Sequence, residues 1–405
     1  AFMSSKQTLP LQGIRIVDFS RLLPGPWATQ MLAELGADVI KVEPPVVGDP
    51  SRHNVPSYRE NSVYFNQVNA NKRSIALDLA TPAGREISRR LLETADVVYE
   101  TYRPAVAKRL GIDYPTINAY NPRVIYCSIT GFGQHGPLSH IAGHDLVIQG
   151  MTGSLGCALE VQNPPEVPGF QAGDYAGALF SVIGVQAALA QRAKTGVGCE
   201  IDLSMFEALY PMTLIPLSSE MARAAGFSGE PRMETFGGNP RYSTYLSRDG
   251  KPIAVSLLEL KAWGEFCKLV DRMDLYDPDE SPTARLSNHG DNGPIYRKAL
   301  AEYCASHTWQ ELMDRMNETG IAICPIVTPL ESLSLDHVRE RRMVDYIDHP
   351  TEGRIPYLVN PLFRSGLVED QRRPAPQLGQ DADQILSELG FAQSDISRFR
   401  EAKVI

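Results

Sequence analysis

Residues 13–43 constrain the fold of this chain more than any other stretch. Gly13-Ile14-Arg15-Ile16-Val17-Asp18 reads as a short buried strand. The turn Leu22-Leu23-Pro24-Gly25-Pro26 leads into a helix from Trp27 to Leu35, which Gly36 caps, and Asp38-Val39-Ile40-Lys41-Val42-Glu43 reads as a second strand. Strand, helix and strand within about 30 residues make a βαβ unit, whose strands pair in parallel. The alternation continues with a helix near 83–94, a strand at 96–100 and a strand at 123–129. A parallel sheet flanked by helices is therefore expected: an α/β, Rossmann-like large domain. Its first turn carries no GxGxxG, so neither a nicotinamide nor a flavin dinucleotide is indicated.

Further along, Tyr175 to Arg192 is almost uniformly apolar and reads as a fully buried helix, followed by a strand at Cys199–Leu203. Beyond the loop Phe236-Gly237-Gly238-Asn239-Pro240, two runs at 242–245 and 253–256 flank Asp249-Gly250 as a hairpin. Helices near 261–271, 295–306 and 309–319 complete a smaller, mainly helical α+β domain. The expected division is 10–215 for the first part of the large domain and 225–330 for the small domain. Residues 335–405, with a helix near 381–389, then return to the large one.

The formal charge of −9 argues against a nucleic-acid partner, because phosphates require a basic face. The apolar stretches look shorter than the roughly 20 residues a membrane helix needs, and no signal-peptide pattern opens the chain, so a cytoplasmic protein without a membrane partner is expected. Ala1-Phe2 before Met3 read as a cloning remnant. Cysteines 127, 157, 199, 267, 304 and 324 show no CxxC spacing and the histidines no HExxH pair, so reduced thiols and no metal site are expected.

What remains is carboxylate chemistry. His144-Asp145 is followed by Asp174, set between Gly173 and an apolar helix. On position alone Asp174 fits an N-cap. Gly173, Gly177, Ala176 and Ala178 nevertheless leave it sterically open, and helix-terminal N–H groups favour its ionised form. His144 fits either a loop histidine or a reactive base; Asp145 fits a partner for that imidazole or a helix cap. Glu259 ends a strand-like run and fits a helix-start acid as well as a catalytic one. Lys72-Arg73 and Arg103 lie in loops beside strand ends, where phosphates bind in α/β sheets.

The segments LLPGPWATQMLAELGADVIKVE (22–43), NANKRSIALDL (69–79) and NPRVIYCSITGFGQHGP (121–137), followed by GHD and GDYAG, closely resemble the class III CoA-transferase family. That superfamily includes formyl-CoA transferase, carnitine CoA-transferase and α-methylacyl-CoA racemase, and the likeness runs from about Leu11 through the tail. It implies subunits interlocked as a ring-through-ring homodimer, with a paralogous heteromer open. It implies CoA thioesters and carboxylic acids as substrates, with no permanently bound cofactor. The family's nucleophilic aspartate corresponds to Asp174 and its CoA-site arginine to Arg109. Contacts to CoA fall on Leu23, Pro24, Leu77, Ala80, Thr101, Tyr102 and Arg103, with Asp145 in the same cofactor-binding set. Backbone amides near Gly237-Gly238 would shield a reactive intermediate. Leu23 replaces a glutamine of formyl-CoA transferase and Ala80 a basic residue, so oxalate or formate specificity is not implied.

Two reactions compete within this resemblance. His144 and Asp174, 30 residues apart, match the acid–base pair of the racemase branch, and Glu259 matches its glutamate. NANKRSIALDL, GDPSR (48–52) and VIQGMTG (147–153) match the transferase branch, and the larger number of segments favours transfer of CoA from a donor such as succinyl-CoA to an organic acid. A non-catalytic CoA-binding subunit of a heteromer is the third reading. Loops 45–62 and 207–240, with Met212, Met221, Met233 and Phe227, suggest an apolar acyl pocket for a group larger than formate.

Overall fold

In the computed structural model, residues 8–156 and 164–405 are described; Cys157 and the first residues lie outside them. The chain divides into two compact units, one of residues through Thr152, Val167–Pro211 and Asp336–Ile405, the other built on Met212–Leu335.

The first unit is organised by six strands: β1 (Arg15–Asp18), β2 (Asp38–Glu43), β3 (Arg73–Ala76), β4 (Val97–Glu100), β5 (Ile125–Thr130) and β6 (Cys199–Ser204). All neighbours pair in parallel, in the order β3-β2-β1-β4-β5-β6. Successive side chains of a strand face opposite ways, and the residues are apolar on both sides. Ile16, Val39, Val97, Tyr99 and Cys127 join a core with the helices Pro24–Glu34 and Ala172–Thr195. Val17, Ile40, Val98 and Tyr126 join a second core with the helix Pro82–Glu93 and the C-terminal helices Ala382–Glu388 and Gln393–Glu401. The tail adds an antiparallel pair, β10 (Val344–His349) with β11 (Gly353–Leu358). It is also pinned to the sheet by Glu388, whose carboxylate lies 2.9 Å from Arg73 and 3.3 Å from Arg15.

Two readings of the long helix need correction. Ala172–Thr195 is not fully buried: Val182, Val185 and Ala188 pack inward, while Leu179, Phe180 and Ile183 are exposed, Ile183 at 60%. Its composition is apolar all round, so periodicity could not separate the two faces. At 24 residues it is also long and apolar enough, by length and composition alone, to cross a bilayer.

The second unit carries the expected hairpin as β7 (Tyr242–Leu246) and β8 (Pro252–Ser256), extended by β9 (Ile323–Pro325). The helices Leu260–Leu269, Gly293–Ala305 and Trp309–Thr319 close on it over Trp263, Phe266, Leu300 and Leu312.

At the carboxyl end of β1 lies a cluster of charges closed off from water. Asp18 accepts from Ser20 N at 2.8 Å, Thr29 Oγ1 at 2.6 Å and Lys72 Nζ at 3.0 Å, with neither side chain of the ion pair exposed. Burial alone would raise the Asp18 carboxyl, but Lys72 and Lys41 outweigh it and hold its pKa at about 2. Lys41 in turn reaches Asp49 at 2.8 Å. Replacing Asp18 by Ala leaves Lys72 buried and unpaired, which costs about 3–5 kcal/mol. Urea unfolding should register that loss, and a change below about 1 kcal/mol would show the pair to be dispensable.

Candidate active site

The strand order makes the site. The chain winds away from β1 in one direction and from β4 in the other, so the loops after these neighbouring strands diverge and leave a crevice at their carboxyl ends. Arg21, Leu22, Leu23 and Pro24 follow β1; Thr101, Tyr102, Arg103 and Pro104 follow β4. Both loops line one cavity of about 510 Å³, together with Tyr64, His144 and Asp174.

Each wall has a physical anchor. Arg21 N donates to Thr101 Oγ1 at 3.0 Å, tying one loop to the other. Leu22 takes a positive φ of 66°, and its N–H donates to the buried Asp49 at 3.2 Å. Gly25 is required by close approach, since a Cβ there would stand 2.2 Å from that of Ser20. The helix Pro24–Glu34 starts at Leu23 with no side-chain cap. Across the crevice, Glu100 at the end of β4 accepts from Tyr102 N at 2.7 Å and so fixes that loop. Burial pushes the Glu100 carboxyl up to about 7.

Asp174 does not cap its helix. It sits in the first turn, and the amides it was expected to exploit are taken by Asp145, whose Oδ1 accepts from Gly173 N at 2.7 Å and from Asp174 N at 3.2 Å. Asp145 is itself steadied by Gln149, whose side-chain amide donates to Oδ2 at 2.6 Å and to the Phe170 carbonyl at 2.8 Å. Burial first, and then the Asp145 carboxylate, push the Asp174 pKa up to about 7. The expectation that helix dipole and open surroundings would keep Asp174 firmly ionised is therefore overturned. Asp174 in turn bears on Tyr64: burial chiefly, with the nearby Asp174 and Asp49, raises the phenol and keeps it protonated.

The expected residues divide. Leu23, Pro24, Thr101, Tyr102, Arg103, His144 and Asp174 meet in the cavity, and Asp145 stands directly behind Asp174. The exposed His144 imidazole has no hydrogen bond among the described residues. Leu77 is buried with its N–H bonded to Glu43, Ala80 is exposed with its N–H on Asp78, and Arg109 is exposed on the short helix Val106–Leu110; none of the three lines this cavity. Glu259 belongs to the second unit, where it precedes the helix Leu260–Leu269 and pairs with Arg285 at 2.9 Å. Gly237 and Gly238, also in that unit, have their carbonyls engaged by Arg297. Of the residues suggested for an acyl pocket, Met212, Met221 and Phe227 are exposed there.

Arg21, Tyr64 and Glu100 were not anticipated. Tyr64 lies in a six-residue helix, Val63–Val68, capped by Ser62 Oγ, just beyond the loop expected at 45–62 and in a stretch to which no element was assigned. The Ser62 cap just ahead of Tyr64-Phe65 was the available signal.

The profile of CoA-transferase family III matches residues 11–382 of this chain. A succinate–glutarate CoA-transferase of Agrobacterium fabrum is 32% identical over 394 residues, covering 94% of this chain and 96% of that protein. A formyl-CoA:oxalate CoA-transferase of Rhodopseudomonas palustris is 32% identical over 418 residues, covering 98% and 97%. Among solved structures, a CAIB/BAIF family protein from Brucella suis superposes with a TM-score of 0.78 at 32% identity, covering 95% of this chain and all of that one.

A carboxyl group that holds its proton more tightly when folded than unfolded stabilises the fold only at low pH. Its contribution is complete below the unfolded value near 4 and is lost as pH rises through about 7. Asp174→Asn should therefore raise Tm at pH 8 and lose that advantage near pH 4, as read by thermal melts at the two pH values. Equal effects at both would mean that Asp174 ionises without strain.

Proposed function

The chain belongs to CoA-transferase family III, and from that premise we propose that it moves CoA from a donor acyl-CoA, succinyl-CoA first among them, to an organic acid through Asp174. The supporting observation is the place of this carboxylate: half-buried in the crevice at the sheet's switch point, facing the two loops expected to hold CoA.

The steps balance without a proton. Ionised Asp174 attacks the thioester carbonyl and expels CoA thiolate, leaving an acyl–aspartyl anhydride. The thiolate attacks the aspartyl carbonyl, releasing the donor acid and forming an aspartyl-CoA thioester. The acceptor carboxylate attacks that thioester, and the returning thiolate frees the new acyl-CoA and Asp174. A carboxylate suits this work because each intermediate stays activated. A raised pKa makes the anion a stronger nucleophile.

A specific observation keeps racemisation as a second reading: His144, whose imidazole has no hydrogen bond among the described residues, lines the same cavity as Asp174, so an α-proton between them could be removed by one and returned by the other. The interlocked homodimer expected from the resemblance is supported by apolar side chains left uncovered, Leu179, Phe180 and Ile183 on one unit and Met212, Leu214 and Ile215 on the other. Activity of the chain expressed alone separates it from a heteromer subunit.

Asp174→Ala should abolish CoA exchange, and hydroxylamine should trap an activated Asp174 in wild type during turnover, seen by peptide mass. The exchange rate should climb as pH rises through about 7, since attack needs the anion. Exchange that survives loss of the carboxylate removes the mechanism. Solvent deuterium entering the α-carbon of a 2-methylacyl-CoA, with no acceptor acid present, would establish the racemase instead.

A further inference from the structure

Glu100 is a buried acid that the fold does not neutralise. Asp18, Glu34, Glu43 and Asp49, buried in the same unit, each pair with a lysine or arginine, and buried Glu352 accepts from two backbone amides and from Asn61. Glu100 makes no ion pair among the described residues. It accepts from Tyr102 N at 2.7 Å, and the Ser128 and Tyr126 hydroxyls face it as hydrogen-bond donors. An apolar side chain, like those of Val97 and Val98 before it, would be buried here at no such cost. Ser128 connects the acid to the neighbouring wall. Its Oγ accepts from Gln134 Nε2 at 2.7 Å, so its single O–H is left to donate to Glu100. Gln134 N in turn donates to the Asp202 carboxylate at 3.1 Å, which fixes the start of the loop after β5. That loop returns to the cavity. Gly131 and Gly143 meet backbone to backbone, a Cβ on either standing 2.9 Å from the other's Cα, and both line the wall with Ser139, Ile141 and His144. Glu100, Ser128 and Gln134 themselves do not line it.

Resting on the transferase reading, with the loop after β4 as a CoA contact, we propose that Glu100, Ser128 and Gln134 are positioning residues for the coenzyme. They form a hydrogen-bonded relay that ties the loops after β4 and β5 into one wall. A backbone N–H held by a carboxyl group has a fixed direction, and linked hydrogen bonds polarise one another, so removing any link loosens both loops. Asp174 stands on a separate element, the helix Ala172–Thr195. Loss of the relay therefore falls on binding rather than on attack, weakening substrate and transition state alike.

The test measures binding of coenzyme A by calorimetry, beside exchange kinetics, on the full chain. Gln134→Ala, at a half-buried loop position, should weaken CoA binding roughly 3–10-fold, the worth of one neutral hydrogen bond, and raise KM for the acyl-CoA donor equally with kcat kept. Glu100→Ala should weaken binding roughly 10–100-fold, and Glu100→Gln, which keeps an acceptor for Tyr102 N, should recover most of that loss. The double variant Glu100→Ala/Gln134→Ala should bind no more weakly than Glu100→Ala alone, because its second change removes a link already cut. The Tm of each variant reports whether it folds. Unchanged CoA affinity in a folded Gln134→Ala, losses that multiply in the double variant, or a fall in kcat at constant KM would each overturn the relay while leaving the transferase reading intact. The expected pattern of CoA affinities in a chain that exchanges no CoA would sustain the relay and sink the transferase reading.

Discussion

Lys72 Nζ and Asp18 meet 3.0 Å apart with neither side chain exposed, and the working face of the first unit is built outward from that contact. Desolvating two charges is expensive, and a buried pair is weak evidence for stability in itself. Its effect here is to specify geometry. Asp18 binds the turn after β1 through Ser20, and the helix that follows through Thr29; Lys72 adds the Pro26 carbonyl and Asn69. Lys41 extends the network to Asp49, which holds Leu22 in its left-handed conformation. Hydrophobic contacts could not impose such direction on a four-residue turn. The switch-point crevice keeps its shape because the backbone N–H groups of Ser20, Leu22 and Tyr102 each have a carboxyl partner beneath.

A second set of charges works against stability. The N-terminal amides of the helix Ala172–Thr195 are its natural anion site, and Asp145 occupies it, leaving Asp174 half-buried beside a like charge. A carboxylate placed to stabilise the fold would have taken those amides itself. One acid caps, and the other is left without those amides. Strain of this kind, local and held in place by surrounding structure, is what nucleophilic chemistry requires.

Much of this was legible in the sequence, for identifiable reasons. β1, the helix after it and β2 stand out because strong apolar runs alternate with Pro, Gly and a charged turn. β3 escaped notice: Arg73-Ser74-Ile75-Ala76 is four residues long at the sheet's edge, and its pairing with β2 is visible only in three dimensions. Asp174 and His144 were found because glycines and neighbouring acids marked them. The protonation of Asp174 was misread because the group that takes its helix amides lies 29 residues earlier in the chain. Charge patterning along a sequence reports which groups exist, and their pKa values follow from which hydrogen bonds each one loses to another. Arg21 was missed for the complementary reason. An arginine in a turn is ordinarily solvated, and only the structure shows that it lines the cavity, stacked on Tyr102, with its guanidinium unpaired among the described residues.

The raised pKa of Asp174 also bears on how an aspartate can serve both as attacking group and as carrier of an acyl or CoA group. A carboxylate of ordinary acidity is a poor nucleophile toward a thioester, because little basicity is available to form the new bond. Lifting it toward neutrality strengthens the attack while leaving a substantial anionic fraction at pH 7. In the proposed mechanism the same environment would assist the step that follows. Acylation removes a charge from beside Asp145 and from a partly desolvated pocket, so the repulsion that raised the pKa is relieved in the intermediate. The pocket is thus arranged to destabilise the free carboxylate more than its acylated forms. Under the proposed mechanism, that difference, set by Asp145 and by burial, would draw the chain of thioester and anhydride exchanges forward from the resting enzyme.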